Sequence, residues 1–297
     1  MAYKEFEILS DNIPITLSMW IQDADEPTII FLPGTMSHPL MYATFLNGLS
    51  ERGFNVIGIH YFSHGKSPKV KTNYTMDDLL QNVYDTTTFA IENFGHNISI
   101  MGSSQGGILA AMAAGRDTRI KAVFPYNIML TSLRETMSLT KFPAWTHRFM
   151  GFIQFMFRVG GTIFPNMKIH PDAYLDFNKV FHSEKAKNDC LNDPMLLPYY
   201  PLKFVASLFN ADLSCLEDGS IKCPIVLITA KGDPLFSYDY IEKVYEQINS
   251  ANKEMLVLSL NRHMIFNEDT NDTLNALEPT LHKYLYCIVP TTELKRK

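Results

Sequence analysis

The chain has 297 residues, of which 46% are hydrophobic and 19% are charged, and its formal net charge is −5. This length suits one large domain or a core domain with an insertion. A mildly acidic chain without a basic stripe has little means of neutralising phosphates, so the composition argues against a nucleic-acid partner.

The opening segment and the cysteines bear on the cellular compartment. The segment "MAYKEFEILSDN" is charged and lacks an apolar run, which argues against a secretory signal peptide. The cysteines show no C-x-x-C spacing and indicate neither a zinc site nor a disulfide framework. They are Cys190, Cys215, Cys223 and Cys287. We therefore expect a cytoplasmic protein.

Strands and helices are predicted to alternate over the first 130 residues. Clustered apolar and β-branched residues predict four strands. These are "TIIFLPG" (28–34), "FNVIGIH" (54–60), "NISIM" (97–101) and "IKAVFPYN" (120–127). Apolar residues at helical spacing predict helices between them, including "TMDDLLQNVYDTTTFAIENFG" (75–95) with Thr75 or Asp77 as its cap.

The same alternation returns near the C-terminus. There we predict the strands "CPIVLITAKGD" (223–233) and "EMLVLSL" (254–260), the helix "YDYIEKVYEQINS" (238–250) and a last helix over residues 264–286. This order predicts an α/β fold whose mainly parallel sheet is covered on both faces.

Residues 131–220 interrupt this order. No clear strand is found in them, and they are dense in Phe, Met, Tyr and Pro. We therefore predict a core of residues 1–130 and 221–297 and an α-helical insertion over 131–220. Within it, "FMGFIQFMFRVGGTIF" (149–164) is too short and too interrupted by Arg158 for a membrane span, but fits an interfacial helix.

The pentapeptide "GSSQG" (102–106) matches G-x-S-x-G and stands where a strand gives way to a helix. A nucleophile at such a turn adopts a strained backbone and needs small neighbours, so that strand and helix can approach. Ser103 lies one residue early for this register, which makes Ser104 the candidate nucleophile. The N–H of Gln105 would then point to the place where an oxyanion forms.

A serine nucleophile needs a base, and the base needs an acid that orients it. Asp233 comes just past one apolar strand, and His263 follows the next strand by a few residues. Both are expected where loops leave the carboxyl ends of strands. Weaker candidates remain: Asp212 and Asp218 for the acid, which lack a preceding strand, and His282 for the base, which falls inside the last predicted helix.

With these three residues in the order Ser, Asp, His, the chain resembles the α/β-hydrolase superfamily. The resemblance is to its monoacylglycerol lipase, lysophospholipase and serine-aminopeptidase-like group. The segment "FLPGTMSHP" resembles the family's His-Gly-x-Gly-x-His, with Pro33 in place of the first histidine and Gly34 and His38 matching. The resemblance implies that the Thr35 N–H is the second oxyanion donor and that the insertion is a lid.

A second segment, "HYFSHGKSP", resembles the family's Asp-x-x-Gly-His-Gly-x-Ser and keeps His64, Gly65 and Ser67. His60 stands where aspartate is usual, and Ser63 where glycine is usual. Histidines are common metal ligands, so His38, His60 and His64 suggest a metal site. The spacing of His60 and His64 would place both side chains on one face only in a helix, whereas here they follow a strand in a glycine-containing loop. We expect structural hydrogen bonding by His64 and no metal.

Together these features predict a serine hydrolase of carboxylic esters that needs no cofactor. The Phe- and Met-rich insertion indicates a small-molecule ester with an apolar acyl or aromatic group, such as a monoacylglycerol or lysophospholipid. Transient contact of the lid with a membrane surface is left open by the sequence. Three alternatives remain open: an amidase or peptidase, an acyltransferase, and a binding module without catalysis.

Overall fold

The computed structural model describes residues 2–69 and 72–286. Cys287 lies outside them. The strands are β1 Ala2–Ser10, β2 Ile13–Ile21, β3 Thr28–Leu32, β4 Asn55–His60, β5 Ile98–Ser103, β6 Val123–Tyr126, β7 Lys168–Ile169, β8 Tyr200–Pro201, β9 Ile225–Ala230 and β10 Lys253–Leu258. The helices are α1 Ala43–Glu51, α2 Met76–Phe94, α3 Gln105–Arg116, α4 Met150–Ile163, α5 Phe177–Val180, α6 Glu184–Leu191, α7 Leu202–Phe209, α8 Tyr238–Gln247, α9 Ile265–Glu268 and α10 Thr270–Leu285.

Eight strands form one sheet in the order β1-β2-β4-β3-β5-β6-β9-β10. The pairs β1–β2 and β2–β4 are antiparallel, and every pair from β4 to β10 is parallel. The predicted α/β fold with a mainly parallel sheet is therefore confirmed. The carboxyl ends of β3, β5, β6 and β9 meet at one edge, where parallel sheets of this kind carry their sites.

Both faces of the sheet are covered. Along β3, Ile30 and Leu32 pack into one apolar core, whereas Ile29 and Phe31 pack into another. The first core also contains apolar side chains of α2, α3 and α8, and the second those of α1, α9 and α10. Alternate side chains point to opposite faces of a strand, so near-continuous apolar strands are what a sheet covered on both faces requires.

Several local predictions are corrected or sharpened. The β1–β2 hairpin was not predicted, because its first strand carries exposed charges at the edge of the sheet. The cap of α2 is Thr75 rather than Asp77: its hydroxyl accepts from the N–H of Asp78, whose carboxylate accepts in turn from the N–H of Thr75. The single helix predicted over 264–286 is two helices, which meet at Asp269.

Residues 131–220 connect β6 to β9 and contain α4 to α7 together with several short 3-10 turns. They also hold one small antiparallel ribbon of two-residue strands, β7 and β8, where the sequence predicted no strand. Among the described residues, every helix is too short or too polar to cross a bilayer.

Candidate active site

Ser104 stands alone between the last residue of β5 and the first of α3, as the pentapeptide predicts. Its φ of 53° and ψ of −112° are strained for a residue with a side chain. A Cβ atom on Gly102 would collide with the backbone of Gly106, and one on Gly106 with the carbonyl of Leu32. The two flanking glycines therefore permit the close approach of β3, β5 and α3 that supports the turn.

The two residues expected to supply the oxyanion donors, Thr35 and Gln105, line a common pocket with Ser104. Gln105 is the first residue of α3, so its N–H has no partner within the helix. Thr35 follows β3, and a Cβ on its neighbour Gly34 would lie 3.6 Å from Ser104 Cβ. The Thr35 hydroxyl donates to Gln105 Oε1 at 3.2 Å and ties the two loops together.

Asp233 and His263 are brought together at the carboxyl end of the sheet. Asp233 Oδ2 lies 2.8 Å from His263 Nδ1, and both side chains are almost completely buried. A carboxylate oxygen only accepts, so Nδ1 carries the proton and Nε2 of the neutral ring is left as the basic nitrogen. Phe236 stacks on the imidazole with its centroid at 5.6 Å and the planes at 11°.

The carboxylate of Asp233 is held by backbone donors as well. Its Oδ1 accepts from the N–H of Leu235 at 2.8 Å and of Phe236 at 3.0 Å. Burial by itself raises the pKa of this carboxyl, but the charge and hydrogen bond of His263 and the two backbone donors outweigh burial, and the net pKa is lowered. Asp233 is therefore an anion that holds the imidazole ring of His263 in place.

Sequence reasoning missed two further partners of Asp233. Tyr126 Oη donates to Oδ2 at 2.9 Å, and Asn127 Nδ2 donates to the same oxygen at 2.8 Å. Asn127 has a φ of 58° and accepts in turn from the hydroxyl of Thr229 at 3.1 Å. The one available signal was Asn127, a polar residue that directly follows the strand "VFPY", at the edge of the sheet where the site was expected.

Ser104 and His263 line one pocket. We call it the His263 pocket; its walls include Gly34, Thr35, Met41, Phe177, Phe181, Leu196 and Met264. Within the described residues, no hydrogen bond joins the Ser104 hydroxyl to His263. Such bonds are often loose without substrate and tighten in the reacting complex.

A second pocket meets the first at Thr35 and Ser104. We call it the Phe209 pocket; its walls include Gln105, Ile108, Met129, Leu139, Tyr174, Leu208, Phe209 and Phe236. In the described part of the chain, no Asp, Glu, Lys or Arg side chain lines either pocket. The space around Ser104 is therefore suited to uncharged groups.

The weaker candidates lie elsewhere. Asp212 and Asp218 accept from the N–H groups of Ser214 and Ser220 in exposed turns. His282 lies in α10, as predicted, near Glu278. Ser103, by contrast, lines the His263 pocket beside Ser104; it is the last residue of β5 and is buried.

The three histidines of the two family-like segments are buried and bound to protein partners. His38 Nε2 lies 3.1 Å from Asp193 Oδ2. His60 Nδ1 accepts from the N–H of Lys66 at 3.0 Å, and its Nε2 lies 3.0 Å from the Ser18 hydroxyl. Burial lowers the pKa of His60 to about 3. No group of three metal-binding side chains converges within residues 2–69 and 72–286.

His64 forms the structural hydrogen bonds expected of it. Its Nδ1 lies 3.0 Å from the carbonyl of Phe62, and its Nε2 lies 3.1 Å from the hydroxyl of Tyr200. Burial lowers its pKa to about 4. Ser63, which stands where the family pattern has glycine, has a φ of 65°, in the left-handed region that glycine adopts without strain.

Solved structures with the same architecture include lipases and esterases. Monoacylglycerol lipase from Paleococcus ferrophilus is 18% identical, with a TM-score of 0.71 over 96% of this chain and 100% of that one. A soluble variant of monoglyceride lipase from Saccharomyces cerevisiae, solved with a substrate analog, is 16% identical, with a TM-score of 0.73 over 96% of each chain. Est1E from Butyrivibrio proteoclasticus, solved with ferulic acid bound, is 16% identical, with a TM-score of 0.64 over 95% of this chain and 99% of that one.

At these identities the likeness establishes the fold, which is that of the α/β hydrolases. No curated protein sequence gives a significant match. Residues 23–270 match the Hydrolase_4 family, described as serine aminopeptidase, S33. The chain therefore belongs to this family of α/β hydrolases, whose fold it shares with monoacylglycerol lipases and esterases.

Proposed function

We propose that this protein is a serine hydrolase of carboxylic esters, in which Ser104 is the nucleophile, His263 the general base and Asp233 its orienting acid. The observation that carries the proposal is the strained Ser104 turn, which opens on the same pocket as His263 while Asp233 holds the far side of the imidazole at 2.8 Å. Nucleophile, base and orienting group are the minimum that serine catalysis requires.

The reaction follows from these positions. His263 Nε2 takes the hydroxyl proton while Ser104 Oγ attacks the ester carbonyl. The resulting oxyanion accepts from the N–H groups of Thr35 and Gln105, each worth about 2.7–4 kcal/mol in a comparable site. His263 then gives its proton to the leaving alcohol, and an acyl-enzyme remains. Water attacks this ester with the same base, and the acid and free serine are released.

The two pockets divide the substrate between them. His263 lines only the pocket named after it, and it must reach the oxygen of the leaving alcohol. We therefore assign the alcohol to the His263 pocket. The acyl group goes to the Phe209 pocket, whose walls include Thr35 and Gln105 and are otherwise almost wholly apolar.

The linings favour a neutral substrate with an apolar acyl chain or aromatic group, and a monoacylglycerol is the leading candidate. A lysophospholipid could be bound with its charged head group outside the pocket. The solved neighbours bind related molecules: a substrate analog in the yeast monoglyceride lipase and ferulic acid in Est1E.

Amide hydrolysis is the second candidate function, because the matching family is described as a serine aminopeptidase. An aminopeptidase has to pair the substrate's α-ammonium group with an anion, since an unpaired buried charge is costly. Neither pocket has an Asp or Glu among its described lining residues, which favours the ester. Aminoacyl p-nitroanilides compared with p-nitrophenyl esters separate the two, and added alcohols as acceptors detect acyl transfer.

We further propose that residues 131–220 act as a lid that meets membrane surfaces transiently. Phe152, Phe155, Met156 and Ile163 form a stripe along α4, and their side chains are exposed, by 63% for Phe152 and 60% for Ile163. Trp145, Phe149 and Phe164, which flank α4 in the sequence, are exposed as well. A patch of this kind marks a binding surface more often than a bare solvent face.

The compartment proposed for this activity is the cytoplasm. The described cysteines, Cys190, Cys215 and Cys223, carry free thiols, which suits a reducing environment.

A labelled fluorophosphonate tests whether the serine is activated. Wild type and Ser103→Ala are expected to be labelled, and Ser104→Ala is not. Labelling of Ser104→Ala at the wild-type rate, or no labelling of the wild type, would contradict the proposal.

A further inference from the structure

The backbone of Met36 is held from both sides by the insertion. Its N–H donates to Tyr200 Oη at 2.7 Å, and its carbonyl accepts from the N–H of Leu197 at 3.0 Å. Met36 has a φ of 67°, a strained value for a residue with a side chain, and it directly follows Thr35. Such a conformation persists only where the surroundings impose it, and here Tyr200 and Leu197 supply the restraint.

The hydroxyl of Tyr200 is itself oriented by His64. The carbonyl of Phe62 only accepts, so His64 Nδ1, at 3.0 Å, carries the ring proton of the neutral imidazole. Nε2 is then an acceptor, and the Tyr200 O–H donates to it at 3.1 Å. This leaves the lone pairs of the phenol oxygen for the N–H of Met36. The donor and the acceptor of every hydrogen bond in this series, from Phe62 to Met36, are thereby determined.

The residues that form this series of hydrogen bonds are buried away from water. Tyr200 is fully buried, and its ring stacks on Phe204 with the centroids 4.4 Å apart. His64 is 1% exposed and Met36 is 4% exposed. Hydrogen bonds in such surroundings are strong when satisfied and expensive to break, because each unpaired group keeps its desolvation cost.

We infer that Tyr200 is a positioning residue for the oxyanion hole: oriented by His64, its hydroxyl fixes Met36 so that the adjacent Thr35 N–H points at the oxyanion. This inference rests on the proposed ester hydrolysis by Ser104. It also assigns the insertion a part in the reaction, since Tyr200 comes from β8 within residues 131–220 and is 164 positions from Met36.

Tyr200→Phe tests the inference, because it removes one oxygen and keeps the ring on Phe204. We expect kcat per titrated active site to fall about 10-fold to 100-fold, since a small displacement of a catalytic group has costs of this size. KM should stay within about twofold, as the Thr35 N–H acts mainly on the oxyanion. The matched control is Tyr61→Phe, whose phenol is buried and has no hydrogen-bond partner within the described residues.

A second pair of variants separates positioning from mere stability. His64→Gln keeps an acceptor for the Tyr200 proton, whereas His64→Leu does not. If the chain positions Thr35, His64→Gln retains more of the wild-type kcat than His64→Leu, with all variants assayed well below their melting temperatures. Equal kcat values in these two variants would overturn the inference.

Different results would overturn the positioning role of Tyr200 and the proposed function of Ser104. If turnover depends on Ser104 but Tyr200→Phe has the same kcat as Tyr61→Phe, only the positioning role of Tyr200 is overturned. A wild type without Ser104-dependent turnover overturns the proposed function and, with it, this inference. A lower melting temperature for Tyr200→Phe with unchanged kcat shows a purely structural residue and also overturns the role.

Discussion

The phenol of Tyr126 donates at 2.9 Å to the same oxygen of Asp233 that His263 approaches at 2.8 Å. The ring of Tyr126 also lies 5.8 Å from that of His263, centroid to centroid. Tyr126 thus contacts both members of the acid–base pair. It stabilises the charged form of the carboxylate and limits the movement of the imidazole.

Tyr126→Phe is expected to move the acid limb of the kcat/KM profile to higher pH. The loss of one donor destabilises the charged carboxylate and raises the pKa of Asp233, so this carboxyl takes up a proton, and stops orienting the imidazole, at a higher pH. The profile is measured from pH 4 to 9 on a soluble ester, with Tyr74→Phe as a control whose phenol is buried without a partner among the described residues. An acid limb that stays in place or moves to lower pH contradicts the assignment.

Asp233→Asn is expected to lower kcat by about 10⁴-fold with a small effect on KM. An amide at this position can donate to the imidazole and stabilise the wrong tautomer, which places a proton on Nε2. Asp212→Asn, at an exposed turn, is the control and should keep full activity. A loss of less than about tenfold in Asp233→Asn would show that another group orients His263.

Gly106→Ala is expected to abolish folding or lower the melting temperature strongly, because its Cβ would collide with the carbonyl of Leu32. Gly151→Ala is the matched control in α4, where an added Cβ meets no atom within 4 Å. This control should gain about 0.5–1 kcal/mol, since alanine is the better helix former. Equal melting temperatures for the two variants would mean that β3 and α3 are not packed as described.

The free energy of unfolding is expected to fall as the pH drops from about 6.5. His60 and His64 have lowered pKa values of about 3 and about 4, so in this range the unfolded chain binds protons that the folded chain does not. The contribution of their neutral forms is complete above the unfolded pKa and is lost progressively as the pH falls toward the folded values. Urea midpoints at pH 7.5 and 5.0 measure the effect.

Carboxylates also take up protons between pH 7.5 and 5.0, so variants are needed to isolate the contribution of the histidines to the fall in stability. His60→Gln should show a smaller fall between these two pH values than the wild type, whereas His282→Gln, at a partly exposed position in α10, should show the same fall. An unchanged fall in His60→Gln would mean that His60 is charged in the folded protein.

The sequence sufficed where a residue's role depends on its neighbours along the chain. The apolar β-branched strands β3, β4 and β5 and the turn at Ser104 were predicted near their observed bounds, because their signals lie within a few residues. The order of Ser104, Asp233 and His263 at strand ends predicted that they would share one sheet edge.

The remaining features depend on contacts between distant segments. The edge strand β1 is exposed on most of its length, so burial imposes no apolar pattern on it. Tyr126 reads as an ordinary strand aromatic until the fold brings Asp233 to it, 107 positions along the chain. Tyr200 lies in a segment without periodicity, and only the packed insertion places its hydroxyl on Met36.

The most direct test of the account measures hydrolysis of p-nitrophenyl acetate, butyrate, octanoate and palmitate by the wild type and by Ser104→Ala. We predict turnover that peaks at medium or long chains and falls at least about a thousandfold in the variant, because Ser104 is the proposed nucleophile that forms the acyl-enzyme. Ester hydrolysis of equal rate in the two proteins, or none in the wild type, would contradict the central claim.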